Sequence, residues 1–156
     1  MKKFVQAIQP ELVLLNVVAE DQKEAISLLA NQMIQNQLVK PSFLDAIWNR
    51  EKKYPTGLLT QGGGIAIPHA DPSHVILEAI SLGVLKHPVT FRMMEDPNQT
   101  LEVDLIFMLA MKNPKRHIEM LQELVSIFQD ANCLDELRKA QSVDQVLRIL
   151  KREEVQ

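Results

Sequence analysis

Cysteine and long apolar runs are scarce in this sequence. Cys133 is the only cysteine among 156 residues, which excludes an internal disulfide and agrees with a reducing compartment. No apolar run approaches the roughly 18 to 20 residues of a membrane span. Gln6, Gln9 and Pro10 interrupt the apolar N-terminal residues that a signal peptide would need. We therefore expect a cytoplasmic protein that does not insert into a membrane.

Aromatic residues and basic excess are also lacking. Phe, Trp and Tyr make up 4% of the chain, and the formal net charge is -3 at pH 7. Single-stranded nucleic acid is bound by basic grooves with aromatic stacking platforms, so nucleic acid is excluded as the expected partner. The 46% of hydrophobic and 24% of charged residues are instead typical of a globular protein. We expect residues 1–156 to form one domain.

Motifs of several enzyme classes are absent as well. The sequence has no G-x-S-x-G elbow, no P-loop and no G-x-G-x-x-G at a strand exit. Its single cysteine lies among helical apolar residues, where a cysteine usually packs. Neither a serine or cysteine hydrolase nor a nucleotide-binding enzyme is therefore expected.

Apolar periodicity predicts strands that alternate with helices. Short apolar runs predict buried strands at 12–18, 65–67, 79–85 and 101–111, and helical spacing predicts helices at 21–38, 41–53, 114–130, 135–140 and 143–152. This alternation favours an α/β sandwich, a single domain with helices on both faces of the sheet. Because no helical stretch separates Ile76 from Leu109, we expect a mixed parallel and antiparallel sheet.

Two segments predict turns. Residues 54–64 contain four of the five glycines and one proline, which predicts a loop. Either unusual backbone angles and close approach of another group, or plain mobility, would explain this bias. His87 precedes Pro88 in a segment that predicts a hairpin turn, and we expect no functional role for it.

The most informative stretch is Gly62 to Asp71, which reads GGGIAIPHAD. Pro68 cannot continue a strand ladder, so the buried strand should end there. His69 would then lie at the strand exit, on the rim of the protein. A histidine in this position either carries out chemistry at its imidazole or merely caps a loop.

Two further side chains point to anion chemistry. His117 lies in the first turn of the helix that begins at Pro114, where unpaired backbone amides favour an anion. It either helps to hold a phosphate or is a polar residue on a solvated turn. Arg50 closes the second helix, and its guanidinium matches phosphate oxygens. The run NREKK around it is equally typical of a solvated face.

Metal binding is an alternative for the same region. His69, Asp71 and His74 form the pattern H-x-D-x-x-H, which could supply several ligands from one loop. The pattern matches no standard zinc spacing. A metal-binding protein therefore remains a separate hypothesis.

The assembled residues resemble the IIA component (EIIA) of the bacterial sugar phosphotransferase system, in its fructose and mannitol superfamily. The resemblance extends over essentially the whole chain. It rests on R-E-K at 50–52, P-T-G at 55–57, G-I-A-I-P-H at 64–69 and His117, in that order. Pro55 in place of the commoner serine, and His74 five residues after His69, are most similar to the galactitol-type branch.

The resemblance implies a phosphocarrier that needs no cofactor or metal. His69 would accept a phosphoryl group on Nε2 from the phosphohistidine of HPr and pass it to a cysteine of a cognate EIIB protein. EIIB would in turn serve a membrane EIIC component that takes up a sugar or polyol, with galactitol as the expected type. His117 matches the second histidine of the mannitol pattern, and Arg50 matches its active-site arginine. A protonated His117 would add charge stabilisation.

Supporting roles are expected for a few neighbours. Backbone amides of the glycine segment, at Gly63 and Gly64, would contact the phosphoryl group, and Asp71 would orient the imidazole or be a solvated turn residue. Thr56 and His74 belong to the same motifs. Leu58 and Leu59 are candidates for a docking rim, with core packing as the alternative. The sequence also allows a regulatory EIIA-like module, whose phosphorylation state would control binding to a target protein.

Overall fold

One five-stranded mixed sheet organises the structure, a computed structural model that describes residues 6–155. The strands are β1 (Ile8–Val17), β2 (Gly57–Thr60), β3 (Gly63–Ala66), β4 (Ala79–Arg92) and β5 (Thr100–Ala110). Their spatial order is β1-β4-β5-β3-β2. The pairs β1–β4 and β3–β5 are parallel, whereas β4–β5 and β2–β3 are antiparallel. The predicted mixed sheet is confirmed.

The helices begin at capping residues. They are α1 (Gln22–Gln35), α2 (Phe43–Lys53), α3 (Pro114–Phe128), α4 (Ala131–Lys139) and α5 (Val143–Val155). Side chains of Asp21, Asn113 and Asp130 accept from the amides of the first turns of α1, α3 and α4, amides that have no partner within the helix. The cap at Asp130 explains why α4 begins earlier than the predicted residue 135. None of the helices described has the length and apolarity needed to cross a bilayer.

The core is divided between the two faces of the sheet. On β5, Leu105 and Phe107 pack with α3, α4 and α5, while Ile106 and Met108 pack with α1 and α2. The ring of Phe107 lies 5.3 Å from that of Phe128, centroid to centroid. A strand buried on both faces must be apolar at successive positions, which explains the long apolar run of β5. The predicted sandwich with helices on both faces is confirmed.

The prediction of a loop at 54–64 is wrong for most of that segment. Residues 57–60 and 63–66 form an antiparallel hairpin, in which Leu58 lies opposite Ile65. A Cβ added at Gly64 would lie 2.0 Å from the backbone oxygen of Glu102, so at this position glycine permits a close approach of two strands. The glycine-rich segment therefore forms a tightly packed hairpin in place of the predicted loop.

The prediction of a hairpin turn at His87 and Pro88 is also wrong. Strand β4 continues through both residues, and its pairing with β5 shifts register between Val84 and Val89. A bulge leaves a residue outside the ladder, so it tolerates a proline that has no amide to donate. The chain reverses direction later, where the amide of Met93 donates to the carbonyl of Gln99.

Parallel pairing brings two strand ends together. The amide of Leu109, near the end of β5, donates to the carbonyl of Pro68 just beyond β3, at 3.0 Å. His69 forms an isolated parallel bridge with Leu109. Because β5 ends at Ala110 and α3 begins at Pro114, the exit of β3 and the start of α3 lie side by side at one edge of the sheet.

Alanine at Gly64 should destabilise the protein more than alanine at Gly83. The added Cβ at Gly64 meets backbone at 2.0 Å, so a strand must move, whereas at Gly83 it meets the Cδ1 of Leu29 at 2.9 Å, and a side chain can rotate. We expect Gly83→Ala to cost about 1–3 kcal/mol, the usual cost of overpacking, and Gly64→Ala to cost more. Urea unfolding of both variants measures the difference, and equal losses would contradict the close approach at Gly64.

Candidate functional site

His69 is half-buried at the exit of β3, and one of its ring nitrogens is already engaged. Its Nδ1 lies 2.9 Å from the carbonyl oxygen of Ile67. A carbonyl oxygen only accepts hydrogen bonds, so Nδ1 carries the proton of the neutral ring. The lone pair is then on Nε2, which is the nitrogen available as a nucleophile.

His117 lies beside His69. The two ring centroids are 4.5 Å apart, and the ring planes are tilted by 51°. The position of His117 follows from the start of α3, because the side chain of Asn113 caps the helix and the amide of His117 donates to the Asn113 carbonyl. The two histidines, which lie far apart in sequence, thus form a pair at the edge of the sheet.

Arg50 completes this group from the last turn of α2. It lines the same cavity as both histidines, and its guanidinium carbon lies 5.4 Å from the ring centroid of Tyr54. Its Nε is buried and, among the described residues, has no hydrogen-bond partner. A buried donor without an acceptor is rare and costly. The guanidinium at the cavity therefore keeps hydrogen-bonding capacity that no described residue uses.

The cavity around these side chains is small and open at its rim. It encloses about 220 Å³, and its walls include Met111, Pro114 and Ile118 in addition to the three polar residues. Ile118 is 55% exposed. The first turn of α3 therefore contributes both a histidine and an apolar wall.

Both histidines are held neutral at pH 7. Burial lowers the pKa of His69, and the charge of Arg50 lowers it further, while the bond to Ile67 and the charge of Asp71 oppose the shift. Burial, with smaller contributions from His69 and Arg50, lowers the pKa of His117 to about 4. The protonated His117 considered above is thus disfavoured in the free protein. Arg50 is the permanent cation among the cavity-lining residues.

Asp71 lies at the cavity and is exposed. Its negative charge raises the pKa of His69, as a nearby carboxylate does for any imidazole. The carbonyl of Ile67, rather than Asp71, supplies the hydrogen bond that orients the ring. The orienting role expected for Asp71 is therefore filled by backbone.

Thr56 lies beside the segment that carries His69, whereas Gly63 and Gly64 do not. Thr56 is buried, and its hydroxyl oxygen accepts from the amide of Ile67 at 3.2 Å. It therefore contacts the same residue, Ile67, whose carbonyl orients His69. Gly63 and Gly64 lie at the opposite end of β3, where they approach Arg138 and Glu102. They do not line the cavity, so the expected contact of their amides with a phosphoryl group is not supported.

His74 is part of the scaffold beside the site. It ends a short 3₁₀ turn at Pro72–His74, and its Nδ1 lies 2.8 Å from the hydroxyl of Ser42 at the start of α2. Within residues 6–155, no three side chains of His, Cys, Asp or Glu are grouped as a metal ion would require. The pattern H-x-D-x-x-H therefore does not bring its members together as a ligand set.

Neither residue of the expected docking rim lines the cavity at His69. Leu58 is half-buried and packs against the core, and Leu59 is 69% exposed. Leu59 lines a different cavity, together with Gln61 and Phe128. Beside His69 the exposed apolar residue is instead Ile118.

Sequence analysis missed the role of Glu51 as a buried residue. Glu51 is 2% exposed, and its carboxylate accepts from both the amide and the hydroxyl of Thr56, each at 2.8 Å. A signal was available, because Phe43, Ile47 and Glu51 are spaced four residues apart and share the buried face of α2. The surrounding run NREKK obscured it.

Residues 6–153 match the family model described as phosphoenolpyruvate-dependent sugar phosphotransferase system, EIIA 2. The chain belongs to this family. The resemblance stated from the motifs is thereby confirmed, and the EIIA fold accounts for a mixed sheet with helices on both faces.

Relatives of known type agree with this membership. The galactitol-specific EIIA component of Escherichia coli K12 is 28% identical over 117 residues, which are 75% of this chain and 77% of the relative. The crystal structure of IIA mannitol from E. coli superimposes with a TM-score of 0.75 at 26% identity, covering 91% of this chain and 97% of that one. The mannitol IIA of E. coli in complex with phosphorylated IIB has a TM-score of 0.76 at 24% identity, covering 93% and 99%.

Stability should fall as the pH is lowered from about 6.5 towards 4, partly because of His117. The pKa of His117 is about 4 in the folded protein against 6.5 normally, so in that window the unfolded chain binds a proton that the folded protein does not. His117→Asn should therefore lose less stability than the wild type between pH 7 and pH 5 in urea unfolding. His87→Asn, which removes an exposed histidine outside the cavity, is the control and should behave as the wild type.

Proposed function

We propose that this EIIA protein is a phosphocarrier whose Nε2 of His69 accepts a phosphoryl group from the phosphohistidine of HPr. In that step the N–P bond of the donor breaks while a new N–P bond forms at His69. A cysteine thiolate of EIIB then attacks phosphorus, which forms an S–P bond and releases His69. The observation that carries the proposal is the neutral His69, with its Nδ1 bonded to Ile67 and its Nε2 free, beside Arg50.

The cavity supplies what phosphoryl transfer requires. The reaction depends mainly on positioning and on stabilisation of charge on the transferred group. Arg50 offers a permanent charge and a buried donor without a partner among the described residues, and the helix dipole favours an anion near the start of α3. A phosphoryl group on His69 would also favour protonation of His117, which would then become a further donor.

The family and its relatives support the proposed partners and substrate. The structure of the mannitol IIA of E. coli in complex with phosphorylated IIB supports EIIB as the acceptor. Through EIIB, the chain would serve a membrane EIIC component. Similarity to a galactitol-specific component supports a polyol of the galactitol type. Such partners fit a cytoplasmic location and a protein that binds no nucleic acid. Because its donor is a phosphohistidine, the transfer needs neither a metal nor a cofactor.

His69 should be the phosphorylated residue. Incubation with phosphoenolpyruvate, enzyme I and HPr should add one acid-labile phosphoryl group by intact mass, and His69→Gln should abolish it while the circular dichroism spectrum is kept. Onward transfer to an EIIB cysteine should follow. Labelling without transfer to any EIIB would favour the regulatory module, and continued labelling of His69→Gln would refute the site.

Arg50 should matter for the rate rather than the fold. Arg50→Gln removes the permanent charge at the cavity, and loss of one preorganised donor typically costs about 100-fold or more in rate. The control is Lys53→Gln, which removes a charge from the exposed end of the same helix. Initial rates of phosphoryl transfer from HPr measure both variants, and a similar loss in the two would contradict a specific role for Arg50.

A further inference from the structure

We propose that Glu51 and Thr56 are positioning residues, which hold His69 with its proton on Nδ1 and its lone pair on Nε2. The inference rests on the proposed function of His69 and adds to it the groups that make the histidine ready to react. Neither residue lines the cavity, so their effect must pass through the backbone of Ile67.

A chain of hydrogen bonds links the two residues to the imidazole. The Thr56 hydroxyl donates to Oε1 of Glu51 and accepts from the Ile67 amide, at 2.8 and 3.2 Å. The carbonyl of the same Ile67 accepts from Nδ1 of His69 at 2.9 Å. Both backbone polar groups of Ile67 are thus occupied, one by Thr56 and one by His69, so the bond from Thr56 restrains the residue whose carbonyl accepts from the imidazole.

Glu51 locks the hydroxyl of Thr56 in one orientation. A hydroxyl has a single proton, so when the Thr56 hydroxyl donates to Glu51, its oxygen can only accept from the amide of Ile67. The second carboxylate oxygen of Glu51 accepts from the Thr56 amide at 2.8 Å. Burial raises the pKa of Glu51, whereas the two Thr56 bonds and the charges of Arg92 and Arg50 oppose that shift. Both carboxylate oxygens of Glu51 and the amide and hydroxyl of Thr56 thus have partners, as a rigid network requires.

The hydrogen bonds between Glu51 and Thr56 also hold Arg50 close to His69. Arg50 and Glu51 are consecutive in the last turn of α2, with Arg50 at the cavity and Glu51 in the buried network. Thr56 precedes β2, and Ile67 follows β3. The network therefore holds the helix end that carries the arginine against the segment that carries the histidine, and small misplacements of reacting groups are costly.

Without this network, the proton of His69 should redistribute between the two ring nitrogens. A neutral imidazole in water favours the proton on Nε2, which would block the reactive nitrogen. The fold should survive the change, because Leu109 still bonds to the carbonyl of Pro68. The tautomer of His69 is therefore a readout that a purely structural role would leave unchanged.

Thr56→Val and Thr56→Ser form the decisive pair. Valine keeps the shape and removes the hydroxyl, whereas serine keeps the hydroxyl. Long-range ¹H–¹⁵N spectra of the ring nitrogens, recorded at a pH where His69 is neutral, should show the Nδ1–H form in the wild type and Thr56→Ser. In Thr56→Val the Nε2–H form should appear, and the rate of phosphoryl transfer from HPr should fall by about 10- to 100-fold.

Glu51→Gln is the second variant, and it carries the test if Thr56→Val does not fold. An amide offers one acceptor where Thr56 presents two donors, so we expect the same shift of tautomer. A wild-type tautomer in both Thr56→Val and Glu51→Gln would overturn the proposal, as would an equal rate loss in Thr56→Ser and Thr56→Val. The tautomer is measured without any phosphoryl donor, so failure of wild-type phosphorylation would overturn the proposed function and leave the positioning test intact.

Discussion

The hydrogen bond from Nδ1 of His69 to the carbonyl of Ile67 is the contact on which the site depends. It fixes the proton on one nitrogen and leaves the other as nucleophile. The bond can form because β3 ends shortly before Pro68, while the carbonyl of Pro68 still accepts from the amide of Leu109 in β5. The chain can then turn the imidazole back onto its own backbone. A strand that simply continued would have placed the ring on a flat sheet face.

Two opposite requirements meet in the cavity. Burial keeps His69 and His117 neutral by lowering their pKa values, and a nucleophilic imidazole must be neutral. The group that it would carry is an anion, which needs positive charge nearby. Arg50 resolves the conflict, because a guanidinium stays charged in surroundings where an imidazole does not. Arg50 can thus keep a positive charge beside the two histidines while both of them remain neutral.

Sequence patterns predicted the parts of this structure that depend on local chemistry. The apolar run of β5, the starts of α1 and α3 and the strand end near Pro68 could all be recognised without a structure, and so could His69. The hairpin of β2 and β3 could not, since the need for a glycine at position 64 arises from the close approach of β5, a contact that lies far away in sequence. The continuation of β4 through His87 depends on a bulge, which is set by register with β5. Glu51 was missed because a charged residue was assumed to be solvated.

The unpaired Nε of Arg50 has a thermodynamic consequence for a carrier. A buried donor without an acceptor costs about 1–3 kcal/mol, and the empty protein bears this cost. If a bound phosphoryl group accepts a hydrogen bond from this Nε, the phosphorylated protein is favoured over the unphosphorylated protein by roughly 5- to 150-fold in the equilibrium of each transfer. A bias of this size would favour uptake of the group and would still allow its release. The group-transfer potential of the phosphorylated protein would then be set partly by a bond that the empty protein lacks.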